Sequence, residues 1–189
     1  MAEYLEANTL LTLYGDAKDS KQRANWTTNY SNYDPKKLIG DAPANLNMIN
    51  QMSGDLLDIY SAELSSLGLS SDKFMDAIRR VAFAESSLQS NQESKTGVVG
   101  LMQVTSATAR DLMKQGIVGS KAQKYLGISE DINDKDLREL LKTPKGSVVF
   151  GAGKITQAGM KYRNDQKKIN IQPVDNSKFI SADPYFNGR

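Results

Sequence analysis

Apolar residues recur at helical spacing along most of this chain, and nowhere does a sustained period-two alternation replace that rhythm. The stretch "NMINQMSGDLLDIYSAELSSLG" places Met48, Met52, Leu56, Ile59 and Leu64 near one face and ends at Gly68, which predicts a first domain helix. "SSDKFMDAIRRVAFAESSLQS" predicts a second, over roughly 72 to 90, with Ser70 or Ser71 as N-cap and Asp72 in the first turn. "TSATARDLMKQG" predicts a helix capped by Thr105 or Ser106 and stopped near Gly116. "NDKDLRELLKTP" predicts another, capped by Asp134 and ended before Pro144. In "KGSVVFGAGKITQAGMKYRND" the small residues Gly151, Ala152 and Gly153 weaken helix propensity but allow a close helix contact.

The two ends read differently. Residues 1 to 45 are polar and turn-rich, and predict a short helix near residues 3 to 13 followed by an irregular arm. Its aromatic residues Tyr4, Tyr14, Trp26, Tyr30 and Tyr33 are expected to anchor it on the following domain or on a partner. Residues 168 to 189 read as an extended or irregular tail. Between them, residues 46 to 167 form one mainly α domain, with at most a small β-hairpin at "GVVGLMQV". There is no internal repeat and no low-complexity tract.

Composition then removes chemistry. With no cysteine and no histidine, the chain has no disulfide, thiolate nucleophile, Ser-His-Asp triad or His-based zinc site. Bond cleavage must therefore run on carboxylates, or on lysine or tyrosine. A net charge of +2 gives no strong pull toward nucleic acid or acidic membranes, and no nucleic-acid site is evident. No stretch of the chain reaches the run of about 18 apolar residues needed to span a bilayer. The opening "MAEYLEANTLLTLYGDAKDS" lacks a basic segment and a long apolar segment, so no secretion signal is expected there.

One carboxylate stands out. At about 100° per residue, Phe74, Ile78, Val81, Glu85 and Leu88 fall within roughly 40° of one line, so Glu85 occupies a core-facing slot. Desolvation there disfavours the charged form of a carboxyl group, which suits a proton donor near neutral pH. A glutamate paired with a buried arginine, or lying at the wet edge of the stripe, is the structural alternative. Downstream, Gly97 and Gly100 let the backbone turn and approach a ligand, Gln103 offers an amide to a sugar hydroxyl or N-acetyl group, and Met102 offers an apolar wall.

Taken together, "AESSLQSNQESKTGVVGLMQVTSATA", residues 84 to 109, resembles the signature of the soluble lytic transglycosylase family, in which a helix-borne Glu-Ser pair precedes a Ser, a Gly-x-x-Gly-Leu-Met-Gln stretch and a Thr-Ala. The resemblance spans roughly residues 48 to 163, with "SVVFGAGKI" similar to the family's next helix. It implies a lysozyme-like fold of the goose type. It also implies that Glu85 is the catalytic acid and base, and that Ser86, Ser94, Met102 and Gln103 line the glycan site. Gly97, Gly100 and Thr108 match structural positions of the motif. No cofactor or metal is implied. Family members carry an Ala-Tyr-Asn-Ala-Gly-like element whose tyrosine and asparagine help hold the glutamate. Here only "PYFNGR", residues 184 to 189, bears a faint likeness to it.

The implied reaction cleaves the β-1,4 bond between N-acetylmuramic acid and N-acetylglucosamine, closing a 1,6-anhydro ring. Inverting lysozyme-type hydrolysis needs a second carboxylate, for which Glu93 and Asp111 are the nearest candidates. The run "RRVAFAESSLQSNQESKTGVVGLMQVTSATAR" is more similar still to the transglycosylase domain of internal ejection proteins of short-tailed phages. That likeness implies a virion-interior protein delivered to the host periplasm and cell envelope, with peptidoglycan strands and other virion or ejection proteins as partners. A bacterial envelope enzyme, and a structural or glycan-binding module without activity, are the other expectations.

Overall fold

The computed structural model describes Leu10, Tyr14 and residues 19–90 and 97–171, the side chains of 166–171 excepted. These residues hold nine α-helices: α1 (Ser20–Ser31), α2 (Ala42–Gln51), α3 (Ser53–Ile59), α4 (Ser61–Leu67), α5 (Ser71–Ser86), α6 (Ser106–Lys114), α7 (Ser120–Leu126), α8 (Asp134–Lys142) and α9 (Pro144–Ile171). Among the described residues the only β pairing is one antiparallel bridge between Val99 and Val104, at the place expected for a small hairpin.

Local chemistry explains most of the boundaries. Ser70 Oγ accepts from the Lys73 amide at the start of α5, and Thr105 Oγ1 accepts from the Thr108 amide at the start of α6. The cap of α8 is Asn133 and not Asp134: the Asn133 side chain accepts from the Asp136 amide, and Asp134 takes the first helical position. Three further expectations change. The single helix expected from residue 46 to Gly68 is three short ones, broken at Met52 and Tyr60, whose side chains remain buried. The second helix stops at Ser86 instead of running to 90, because Ser87 and Leu88 adopt left-handed backbone at φ 54° and φ 60°. The stretch after Tyr14, expected to be irregular, carries the twelve-residue helix α1, capped by Asp19. The tail expected to be irregular from residue 168 begins as helix, since α9 runs on to Ile171; the rest of it, and the expected helix over residues 3 to 13 apart from the helical and buried Leu10, lie outside the described residues.

Helix α9 is the axis of the domain. It packs against α2, α4, α5, α6, α7 and α8, and buries Val148, Val149, Phe150, Ala152, Ile155 and Ala158. Its small residues permit that crowding. A Cβ on Gly151 would lie 2.5 Å from Met102 Cβ, and one on Gly153 would lie 2.9 Å from Val118 Cγ2. Tyr60 donates its hydroxyl proton to the Val149 carbonyl at 2.7 Å, fixing the α3–α4 junction to α9. No helix of the described residues is long and apolar enough to cross a membrane.

Candidate active site

Glu85 lies in the last turn of α5, half-buried, with Ala82 and Ser86 buried beside it. The left-handed Ser87 then ends the helix, its amide donating to the Phe83 carbonyl at 2.8 Å. The carboxylate therefore projects from a helix terminus and not from mid-helix, which lets a second chain segment approach it.

That segment is the loop around the Val99–Val104 bridge. Gly100, at φ 75°, makes the loop possible: a Cβ there would lie 2.3 Å from the Leu141 carbonyl oxygen. Gly97 is also left-handed, at φ 82°, and its carbonyl accepts from Arg138 Nη1 at 3.2 Å. Ser86 Oγ lies 2.8 Å from the Leu101 carbonyl, which it can serve as donor, and 3.0 Å from that of Ala82. From the other side Ser147 Oγ accepts from the Met102 amide at 2.9 Å. The loop is thus bonded to the end of α5 and to the first turn of α9.

The expected site residues divide accordingly. Gln103 is half-buried at φ 48°, and its Nε2 donates to the Gly100 carbonyl at 2.9 Å, so its amide group is aimed by the loop itself. Ser86 and Met102 are buried, the first bonded to Leu101 and the second packed on Gly151. In this arrangement both hold the loop in place, because the residue next to a helix end and the residue under a tight turn are the ones the core claims. Thr108 sits in the first turn of α6, its hydroxyl 2.9 Å from Thr105 Oγ1. Ser94 and Glu93 lie outside the described residues, and Asp111 is exposed on α6.

Two further residues reach the site from the N-terminal segment. The indole Nε1 of Trp26, on α1, donates to Glu85 Oε1 at 3.0 Å. Tyr14, fully buried, donates its hydroxyl proton to the Met102 carbonyl at 2.9 Å, while Lys154 Nζ lies 4.1 Å from the centre of its ring. Burial, and secondarily the negative charge of Glu85, hold the Tyr14 phenol well above its ordinary value, so it remains a proton donor. Of the arm's aromatic residues, Tyr14, Trp26, Tyr30 and Tyr33 pack on this domain, as the anchoring expectation had it, and Tyr4 lies outside the described residues. That two of them lead to Glu85 and its loop was not legible, since nothing in their spacing names the partner.

Residues 74–171, just over half of the chain, match the family described as the Transglycosylase SLT domain. This chain belongs to that family. Its helical, lysozyme-like architecture follows, and the match contains Glu85, Ser86, the Gly97–Gln103 loop and α9. Trp26, Tyr14 and all of α1 lie before its start. No curated protein and no solved structure matches the chain. Family membership points to peptidoglycan as substrate and to transglycosylase or lysozyme-like chemistry.

Proposed function

We propose that this protein is a lytic transglycosylase that cleaves the N-acetylmuramic acid to N-acetylglucosamine β-1,4 bond of peptidoglycan, with Glu85 as both acid and base. The observation that carries the proposal is the half-buried Glu85 carboxylate at the end of α5, held through one oxygen by an indole N–H and flanked by a Gly-turned loop. Protonated Glu85 donates to the glycosidic oxygen as that bond breaks through an oxocarbenium-like transition state. The resulting carboxylate takes the proton of the C6 hydroxyl on the same muramic acid. That oxygen closes on C1, giving the 1,6-anhydro sugar, and Glu85 regains its proton. Gln103 and Ser94 are assigned to the glycan. The likeness of residues 79–110 to the transglycosylase domain of phage ejection proteins supports carriage in a virion and local opening of the cell wall during genome delivery.

The test is digestion of purified peptidoglycan by the wild-type chain and by Glu85→Gln, with mass spectrometry of the released muropeptides. Anhydro ends produced by the wild type, and reduced at least a hundredfold in the variant, are expected. Reducing ends would replace this mechanism by hydrolysis, and glycan binding without products would replace it by a structural or glycan-binding module. Detection of the chain in purified, nuclease-treated virions tests the location.

A further inference from the structure

We infer that Trp26 is a positioning residue for the Glu85 carboxyl group, so that the working site extends beyond the family-matched residues to helix α1. The inference rests on the catalytic role of Glu85 proposed above.

The indole N–H can only donate, and it does not titrate. Bonded to Glu85 Oε1 at 3.0 Å, it makes that oxygen the acceptor and favours placing the acid's proton on Oε2. A carboxylic acid that must give its proton to one oxygen of a substrate, and later take one back, gains from such an assignment. Its two oxygens stop being interchangeable, and the ring of the donor limits rotation of the carboxyl plane. After proton transfer the same N–H stabilises the carboxylate, a hydrogen bond to a charged group being stronger than a neutral one.

The donor is itself held. Trp26 is 8% exposed and stacks on Tyr30, with ring centroids 5.3 Å apart and an interplanar angle of 16°. The Tyr30 carbonyl accepts from Arg80 Nη1 at 3.2 Å, and the Arg80 guanidinium lies 5.5 Å from the Tyr33 ring centre and is paired with Asp76 at 2.8 Å. Asp76, Arg80 and Glu85 all belong to α5. One helix therefore carries the carboxyl group and also the charged residue that clamps the helix orienting it.

The experiment replaces Trp26 in the full chain with 3-benzothienylalanine, an indole isostere in which sulfur stands for N–H, alongside Trp26→Phe. For release of anhydromuropeptides, kcat is expected to fall at least tenfold for both, with KM within about twofold and Tm nearly unchanged for the isostere. Because Trp26 is the single tryptophan, its emission reads the contact without any turnover, and Glu85→Gln is expected to change that emission. Wild-type kcat in the isostere overturns the positioning role, as does a loss confined to Tm. An emission unchanged by Glu85→Gln overturns the contact, and with it the positioning role, while leaving the transglycosylase reading in place. A wild-type chain that releases no muropeptides overturns the transglycosylase reading and the positioning role of Trp26 with it.

Discussion

Ser86 and Leu101, fifteen residues apart, are joined by a 2.8 Å hydrogen bond from the serine hydroxyl to the leucine carbonyl, and both are buried. This bond couples the end of the helix that carries Glu85 to the loop that carries Gln103, so neither element can move without the other.

Ser86→Ala removes the donor and leaves the Leu101 carbonyl buried without it. Leaving a buried acceptor unsatisfied costs about 1–3 kcal/mol. Urea denaturation is expected to show a loss in that range, and peptidoglycan turnover is expected to fall further than the small change in folded fraction explains. A variant with normal stability and normal turnover would remove Ser86 from the architecture of the site.

Met102 and Gly151 are predicted to be energetically coupled. A methyl group added at Gly151 meets the Met102 side chain at 2.5 Å, so Gly151→Ala is expected to cost about 1–3 kcal/mol by overpacking. Met102→Ala empties core space and is expected to cost about 2–5 kcal/mol. In the double variant the added methyl group occupies part of the vacated volume. Its loss should be at least about 0.5 kcal/mol smaller than the two single losses added together. Strict additivity in a double-mutant cycle would mean that the two residues do not touch.

Ser87→Gly is expected to stabilise the protein. Ser87 is exposed and left-handed at φ 54°, a conformation that strains a residue bearing a Cβ and not glycine. A gain of about 0.5–1 kcal/mol, visible as a rise in Tm, should follow. Ser87→Ala should show no such gain, since it keeps the Cβ.

Alkaline pH should unfold the protein through Tyr14 and Tyr60. Burial raises both phenols above their ordinary value in the folded chain, whereas both ionise near pH 10 once unfolded. The unfolded state therefore loses these protons first. The stability they contribute is fully present below about pH 10 and declines as pH rises above it. Tyrosinate absorbance is expected to appear in two stages, exposed phenols first and the buried ones together with loss of helical circular dichroism. Smooth ionisation of every phenol while helicity persists would contradict this.

Much of the domain was readable before folding was considered. The apolar faces of α5, α6 and α8 obey one period, because each of these helices buries a single stripe against the same core, whereas α9 is buried on all sides over residues 146–153. The Glu85 motif was readable for a related reason: Gly97, Gly100 and Gln103 are close in sequence to Glu85, and a tight loop needs its glycines wherever it occurs. The caps at Ser70 and Thr105 are likewise local, each bonding an amide three residues on.

Helix α1 shows what escaped. Its sequence, SKQRANWTTNYS, has no continuous apolar face, and only Trp26 and Tyr30 are buried, one turn apart. Such a segment has little reason to be helical alone, since helix stability in proteins comes mainly from packing. The split of the helix expected over residues 46 to 68 is similar, because Met52 and Tyr60 hold their apolar places while the backbone breaks around them.

The sequence by itself determined the helical class, the Glu85 motif and the exclusion of histidine and cysteine chemistry, all of which depend on residue type and short-range spacing. Only the tertiary structure decided that Ser86 and Met102 support the loop from within, and that Trp26, 59 positions away, donates to Glu85. The physical reason is that a long-range hydrogen bond needs one donor and one acceptor at about 3 Å, and those leave no period along the chain. What brings them together is the burial of aromatic rings on α5, an interaction that names no partner until the helices are packed.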